Sequence, residues 1–274
     1  ANFTSTLMSN ISGSNFKMPT NYDIIGGYLF GPKIKLTNFA LVNISISGFN
    51  LTGVNFNNVN FTNVDFSGSD LSNSNITNCN FTNCKFDNVL IINATFNNIT
   101  ITGTNTSLNQ IKCYNLTTNA VNLPIYWNII SGYLFGPNAD LSNLIITNLN
   151  LSNLVLTNIN LLNTTLTNIN INNTNLLNAT LLNITTSNLI GVPLNLPSNW
   201  LIKNKYLIGP GANLSGANLS GLNFENLNLE GTIFSGADMS YVSSKNISGN
   251  IILPSNEWKL IGGYLIGPKA NLSN

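Results

Sequence analysis

Apolar residues recur along this chain at every fifth position. Stepping from Leu36 gives Leu41, Ile46, Leu51, Phe56, Phe61, Phe66, Leu71, Ile76, Phe81, Phe86, Ile91, Phe96 and Ile101, fourteen positions in a row that hold Leu, Ile or Phe. Two residues earlier runs a second column of smaller or β-branched residues, among them Val54, Val59, Val64, Ser69, Ser74, Cys79, Cys84, Val89 and Ala94. The other three positions of each pentad are nearly all Asn, Asp, Ser, Thr or Gly. The pattern returns from Leu141 to Leu181, again at Leu214, Leu219, Phe224, Leu229, Phe234 and Met239, and restarts at Leu272. Pentad blocks so defined cover about 34–105, 139–185 and 212–240, with the restart at 270.

Neither common period accounts for this. A helix places apolar residues at i, i+3, i+4 and i+7, and a half-buried strand alternates every two. A spacing of five would throw successive Leu or Phe onto opposite faces of a straight strand. It would also drift by more than about a hundred degrees per step around a helix. A chain that turns once per pentad keeps every central residue pointing inward, so the period predicts an all-β solenoid. Each large inward side chain would contribute about 1.5–3 kcal/mol, opposed by backbone ordering. Stacked neighbours are therefore needed.

The segments GANLSGANLSG (211–221), VNFTN (59–63) and VDFSG (64–68) resemble the pentapeptide-repeat family: a small residue, Asp or Asn, Leu or Phe, Ser or Thr, then any residue. The resemblance implies a right-handed quadrilateral β-helix with four pentads per coil, so that residues twenty apart stack. It implies that the two apolar columns point inward and the other three positions face solvent. One continuous β-helix shaft over 1–274 is the expected organisation. The chain departs from the family by using Asn and Thr where many relatives carry Asp and Arg. Outward Asn and Thr on coils about 4.8 Å apart are expected to bond to one another along the stack.

One motif interrupts the pentads four times: PTNYDIIGGYLFGP from Pro19, PIYWNIISGYLFGP from Pro124, PSNWLIKNKYLIGP from Pro197 and PSNEWKLIGGYLIGP from Pro254. The junctions span about 10–33, 112–138, 189–211 and 246–269. They hold Trp127, Trp200 and Trp258, with Tyr22 in the remaining copy, each followed six residues later by Tyr28, Tyr133, Tyr206 or Tyr264. Gly26-Gly27, Ser131-Gly132, Asn204-Lys205 and Gly262-Gly263 fit two-residue hairpin turns. The five-residue phase nevertheless survives through Ile24, Leu29 and Ile34 and through Leu260, Leu265 and Ala270. Continuation of the coil with looped-out residues is the favoured reading. Packing is the expected role of the aromatic column, with a stacking platform for sugars or bases as the sharper alternative. Ala1–Leu36 matches Ala237–Leu272 in layout, with Asn10 answering to Asn246. Neither end shows a capping helix or polar terminal coil, so unpaired backbone at open rims predicts head-to-tail self-association or a longer tandem protein.

Composition narrows the function. Charged residues are 7 % of the chain, against about 25 % in an ordinary soluble domain. There are ten Lys, no Arg, nine acids, no His and a formal net charge of +1. The absence of His excludes Ser-His-Asp and Cys-His chemistry and His-based metal sites, and nine scattered acids make no metal cage. No catalytic residue, cofactor site or metal site is expected. Ten Lys without Arg do not make the phosphate-neutralising surface that nucleic-acid binding needs. No run approaches 18 apolar residues, so no membrane-spanning helix is expected. The start, ANFTSTLMSN, lacks the basic and apolar regions of a signal peptide.

Asn fills 56 positions, and twenty N-x-S/T sequons result, including Asn43, Asn60, Asn80, Asn98, Asn150, Asn213 and Asn218. They are candidate glycosylation sites, although the pentad itself writes Asn-Leu-Ser/Thr, and Asn60 and Asn80 would stack one coil apart. Cys79 and Cys84 read as reduced packing residues of the small column, and Cys113 as a buried residue of a non-repetitive stretch. Gly209–Gly216 superficially resembles a phosphate loop but lacks the Lys-Ser/Thr ending. Asp65, Asp70 and Asp87 are outward and expected to be solvated.

These readings favour a non-enzymatic structural protein, the shaft of an extracellular or surface fibre. Carbohydrate or ice binding is the alternative, through outward columns such as Thr62, Thr82 and Thr102. The resemblance also implies a third reading, a DNA mimic that binds type II topoisomerases. Mimicry needs dense negative charge, which this chain lacks.

Overall fold

The computed structural model describes residues 17–273, and the part of the first junction before residue 17, with Asn10, lies outside them. The chain divides into two compact units, residues 1–140 and 141–274. Among the described residues every regular element is a strand. The fold is the expected pentapeptide-repeat β-helix.

In the first unit the strands Lys35–Val42, Asn55–Thr62, Asn75–Thr82, Thr95–Thr102 and Thr117–Asn122 form one parallel sheet. Lys35 pairs with Asn55 and Asn55 with Asn75, twenty residues on, while Thr95 pairs with Thr117 across a coil two residues longer. In the second unit Ile145 pairs with Thr165 and Thr165 with Thr185, again at twenty. All fourteen positions of the Leu36–Ile101 column are buried, and so are those from Leu141 to Leu181 and from Leu214 to Met239. Leu272 keeps the phase, beside Asn271 paired with Ser243, and is 57 % exposed. Inside the first unit Phe61 stacks on Phe81 at 4.7 Å between centroids and Phe66 on Phe86 at 5.1 Å. Edge-on contacts such as Phe61–Phe66 join neighbouring faces.

The three outward positions carry backbone tasks beyond solvation. The residue two after each inward Leu or Phe sits in the left-handed region. Asn38, Asn58, Asn78 and Asn98 have φ of 52–60°, and Gly48, Gly53 and Gly68 take the same role elsewhere. Asn tolerates that region better than other non-glycine residues, and this is why the corner alternates between Asn and Gly. Before the inward residue, Asn or Asp closes a turn by accepting the N–H two residues on, as in Asp70 to Ser72 (2.8 Å) and Asn213 to Ser215 (3.2 Å). The hydroxyl of that same residue can bond the same oxygen, as Ser240 Oγ does to Asp238 (2.7 Å). Threonines of the small inner column are also satisfied. Thr164 and Thr174 donate to carbonyls of the preceding coil, Leu141 (2.8 Å) and Leu151 (2.7 Å).

Each junction is a β-hairpin, which corrects the favoured reading of a simple looped-out coil. Asp23–Ile25 pairs antiparallel with Tyr28–Phe30, Asn128–Ile130 with Tyr133–Phe135, Leu201–Lys203 with Tyr206–Ile208, and Lys259–Ile261 with Tyr264–Ile266. Both turn residues have positive φ in all four, including Asn204 (44°) and Lys205 (66°), as a type I′ turn requires. The coil resumes afterwards. Thr185 pairs with Asn213 and Ser243 with Asn271, 28 residues apart instead of 20, so the hairpin is an insertion of eight. At each junction the first aromatic lies flat on the Gly nine residues later. A Cβ built on Gly209 would come within 2.5 Å of the Trp200 ring, and Gly31, Gly136 and Gly267 meet Tyr22, Trp127 and Trp258 in the same way. These four rings pack against the Gly of each Gly-Pro, where a side chain would collide with them.

The corner geometry is testable at Asn58 (φ 57°). Asn58→Ala should cost about 1–2 kcal/mol, since it also loses the amide bond to Asn38 (2.8 Å). Asn58→Gly should cost less than Ala. Denaturant midpoints of the two variants check the order.

Candidate functional site

The outer surface offers two features: a lattice of amides and a groove where that lattice breaks. In the lattice, Asn side chains twenty residues apart bond amide to carbonyl oxygen. Asn63 donates to Asn43 at 2.7 Å, Asn80 to Asn60 at 2.9 Å, and Asn98 to Asn78 at 2.9 Å. In the second unit Asn183 donates to Asn163 and Asn163 to Asn143, both at 2.9 Å. Asn168 to Asn148 and Asn173 to Asn153 repeat the contact at the neighbouring corners, at 2.9 Å each. Positions dictated by the backbone turn thus also bond to one another, which gives a surface with little charge many of its hydrogen bonds.

The groove lies in the first unit. The coil with two extra residues carries Asn105 outward, and its N–H donates to Asn83 Oδ1 at 3.3 Å. The amide ladder that joins Asn63 to Asn43 does not continue to Asn83 among the described residues. A groove of about 630 Å³ opens there, lined by Asn63, Val64, Asp65, Asn83, Lys85 and Asn105. It presents amide donors and acceptors beside one carboxylate and one ammonium. A second recess of about 250 Å³, in the second unit, is lined by residues that include Glu225, Ser243, Lys245 and Tyr264.

The three outward acids are bonded rather than merely solvated. Asp65 accepts the Ser67 N–H (2.9 Å), and Asp70 that of Ser72. Asp87 accepts the Ser107 hydroxyl and the Asn109 N–H (2.9 Å). Partial burial acts to raise the Asp65 carboxyl, but both Ser67 hydrogen bonds and the Lys85 charge outweigh it and hold Asp65 below its ordinary value. Asp238 is lowered chiefly by the Ser240 N–H and hydroxyl.

The sequons fall into different settings. Asn43 and Asn98 are left-handed corner residues of the ladder. Asn60 and Asn80 are partners on adjacent strands, as their spacing implied, and their side chains are bonded together. Asn150, Asn213 and Asn218 close turns on Ser152, Ser215 and Ser220. The column Thr62, Thr82 and Thr102 is in register, beginning from Val42. Tyr28 stacks on Phe39 at 4.4 Å, and the Tyr206 hydroxyl accepts the Asn218 N–H at 3.4 Å. Tyr133 and Tyr264 are half-buried in their hairpins.

Cys79, Cys84 and Cys113 are buried free thiols. Cys79 and Cys84 occupy the small column and contact the Phe56 and Phe61 carbonyls at 3.7 and 3.6 Å. Burial pushes both thiols up to about 11 and that of Cys113 to about 12. Among the described residues no three His, Cys, Asp or Glu side chains gather as metal ligands, and no helix is long and apolar enough to cross a membrane.

Two residues that matter escaped the sequence reading. Thr186 and Ser244 fall on the large inward column, the first positions after Leu181 and Met239 that are not large and apolar. Their buried hydroxyls accept the N–H groups of Leu207 (2.9 Å) and Leu265 (2.8 Å) in the hairpins. The break in the period was the available signal.

A family model described as pentapeptide repeats matches in eight copies, over residues 41–78, 69–105 and 211–243. No curated protein sequence matches the chain. Among solved structures it is similar to HetL, a pentapeptide repeat protein involved in heterocyst differentiation regulation in the cyanobacterium Nostoc sp. strain PCC 7120. Identity is 19 %, over 80 % of this chain and 87 % of that one, with a TM-score of 0.30. It is also similar to full-length QnrB1, a plasmid-mediated fluoroquinolone resistance protein, at 19 % identity over 76 % of each chain and a TM-score of 0.24. A trypsin-treated form of QnrB1 aligns at 21 % identity over 75 % of this chain and 82 % of that one, with a TM-score of 0.27.

The titrations have defined signs. The lowered Asp65 and Asp238 contribute stability above their ordinary value of 3.8, and this is lost as pH falls through the lower folded values. The raised thiols contribute below their ordinary value of 9.0, and this is lost as pH rises toward about 11. Melting temperatures across pH should therefore fall at both extremes, and Asp65→Asn should flatten the acid limb. A thiol-labelling reagent at neutral pH should modify all three Cys only on unfolding.

Proposed function

Because the chain belongs to the pentapeptide-repeat family, we propose that it acts as a non-catalytic structural β-helix, a shaft segment of an extracellular or surface fibre. The observation that carries this reading is the amide lattice. Its outward polar groups are consumed in bonds between successive coils, so the surface reinforces the stack rather than converging on a reaction centre. The hairpins support it as well, since the same eight-residue insertion recurs between Thr185 and Asn213 and between Ser243 and Asn271. A protein of this kind lengthens by adding coils within a block or blocks within a chain. One continuous shaft over 1–274, and head-to-tail association of copies, belong to the same proposal.

Electron microscopy of native material tests it. Long rods whose axis is shared by successive blocks are expected, and compact isolated particles in the native source would overturn it.

The groove at Asn63 and Asn83 favours a second reading, binding of a neutral carbohydrate. Each sugar hydroxyl both donates and accepts, and the groove sets amides beside the carboxylate of Asp65 and the ammonium of Lys85 without large net charge. On a glycan array this reading expects a signal that Asn83→Ala removes. An array on which wild type and variant are equally silent leaves the structural reading alone.

A further inference from the structure

The hairpins do more than interrupt the coil. In a three-residue strand the middle residue faces one way and its neighbours the other, and cross-strand partners share a face. In the second hairpin the middle pair is Ile129 and Leu134. Both meet the core of the first unit, where a residual void of about 10 Å³ is lined by Phe86, Ile91, Phe96 and Ile101 together with them. Those four come from successive pentads, one from each side of a coil. The hairpin therefore lies across the mouth of the coil and closes its core. Beneath it, the Leu116 N–H donates to the Gly132 carbonyl at the hairpin tip (3.0 Å).

The third hairpin has both of its faces inside the second unit. On one face Leu207 is 1 % exposed, and its N–H bonds to the Thr186 hydroxyl (2.9 Å), while the Leu189 N–H bonds to the Lys205 carbonyl at the tip (3.1 Å). On the other face Leu201, Tyr206 and Ile208 pack into a separate hydrophobic cluster that runs from Ile208 to Leu265. That same face caps an open strand edge with side chains. Asn204 Nδ2 donates to the Asn218 carbonyl (2.9 Å), Tyr206 receives the Asn218 N–H, and the Lys203 ammonium bonds the Asn223 carbonyl. The cluster is closed at its far end by Leu260 and Leu265, the middle pair of the fourth hairpin. The strand edge at Asn218 and Asn223 is thus capped by the junction, a cap that the sequence reading did not foresee.

We propose that the junction hairpins are septa. In the second unit they cut the interior of the β-helix into hydrophobic compartments that open and close as separate units, the two faces of the third hairpin closing one core each. An uninterrupted β-helix core is a chain of nearest-neighbour contacts along which unfolding can spread. A septum whose two faces belong to different cores sets a boundary to that spread.

Native-state hydrogen exchange on the full chain, read by mass spectrometry, tests this with two adjacent substitutions. Leu207→Ala should speed exchange in residues 141–189 by roughly tenfold or more and leave 211–250 near its wild-type rate. Ile208→Ala should do the reverse. Thr186→Val and Tyr206→Phe, which remove one polar contact from each face, should repeat the pattern more weakly in a protein that remains folded. If either substitution of a pair accelerates both regions equally, the core is continuous and the proposal fails.

Discussion

A backbone that turns every five residues must pass a left-handed residue at each corner while sending a large apolar side chain inward, and the rest of this protein follows from meeting both demands at once. Asn and Gly are the residues that accept the corner at low cost. Leu, Ile and Phe supply the burial that offsets the ordering of such a regular chain. Asn does more than tolerate the corner. Its amide meets the Asn one coil away, so the residue that permits the turn also ties the turns together. The unusual composition is therefore a consequence of geometry: one kind of side chain answers a conformational need and a hydrogen-bonding need at the same position.

The small column shows the same economy. Thr164 and Thr174 sit inside the stack, where an unpaired hydroxyl would be costly, yet each reaches a carbonyl of the preceding coil. Cys79 and Cys84 take equivalent places with weaker sulfur contacts. Buried Ser74 makes no such bond. Column identity is thus set by size first and by reach to a carbonyl second. At Thr186 and Ser244 the larger column itself turns polar, because the next group to be met is the edge of a hairpin rather than another apolar side chain.

The hairpins also change what kind of object the β-helix is. A stack of identical coils is one long core. Here the middle pair of each hairpin faces one core and, in the third, its neighbours face another, so the periodic chain carries its own partitions. The aromatic residue laid on glycine fixes where the hairpin leaves the coil, and the eight inserted residues return the chain to its former register. Variation in the number of pentads between junctions then alters block length without disturbing the closure of either end.

Much of this was legible in the residues themselves, and the parts that were not have definite causes. The inward columns follow from a period of five, because a chain that turns once per pentad keeps every fifth side chain inside, and the coil of twenty with the stacking of Asn60 on Asn80 is what the family resemblance implied. The hairpins were misjudged because partners across a two-residue turn, such as Ile24 and Leu29, also stand five apart and so imitate the pentad phase. The groove beside Asn83 depends on a two-residue insertion whose effect is felt twenty residues away, on a neighbouring coil. Sequence alone decided which side chains are inside, since that depends on local turning. Only the tertiary structure decided which inward residues share a core, since that depends on what lies across the coil, and no spacing along the chain records it.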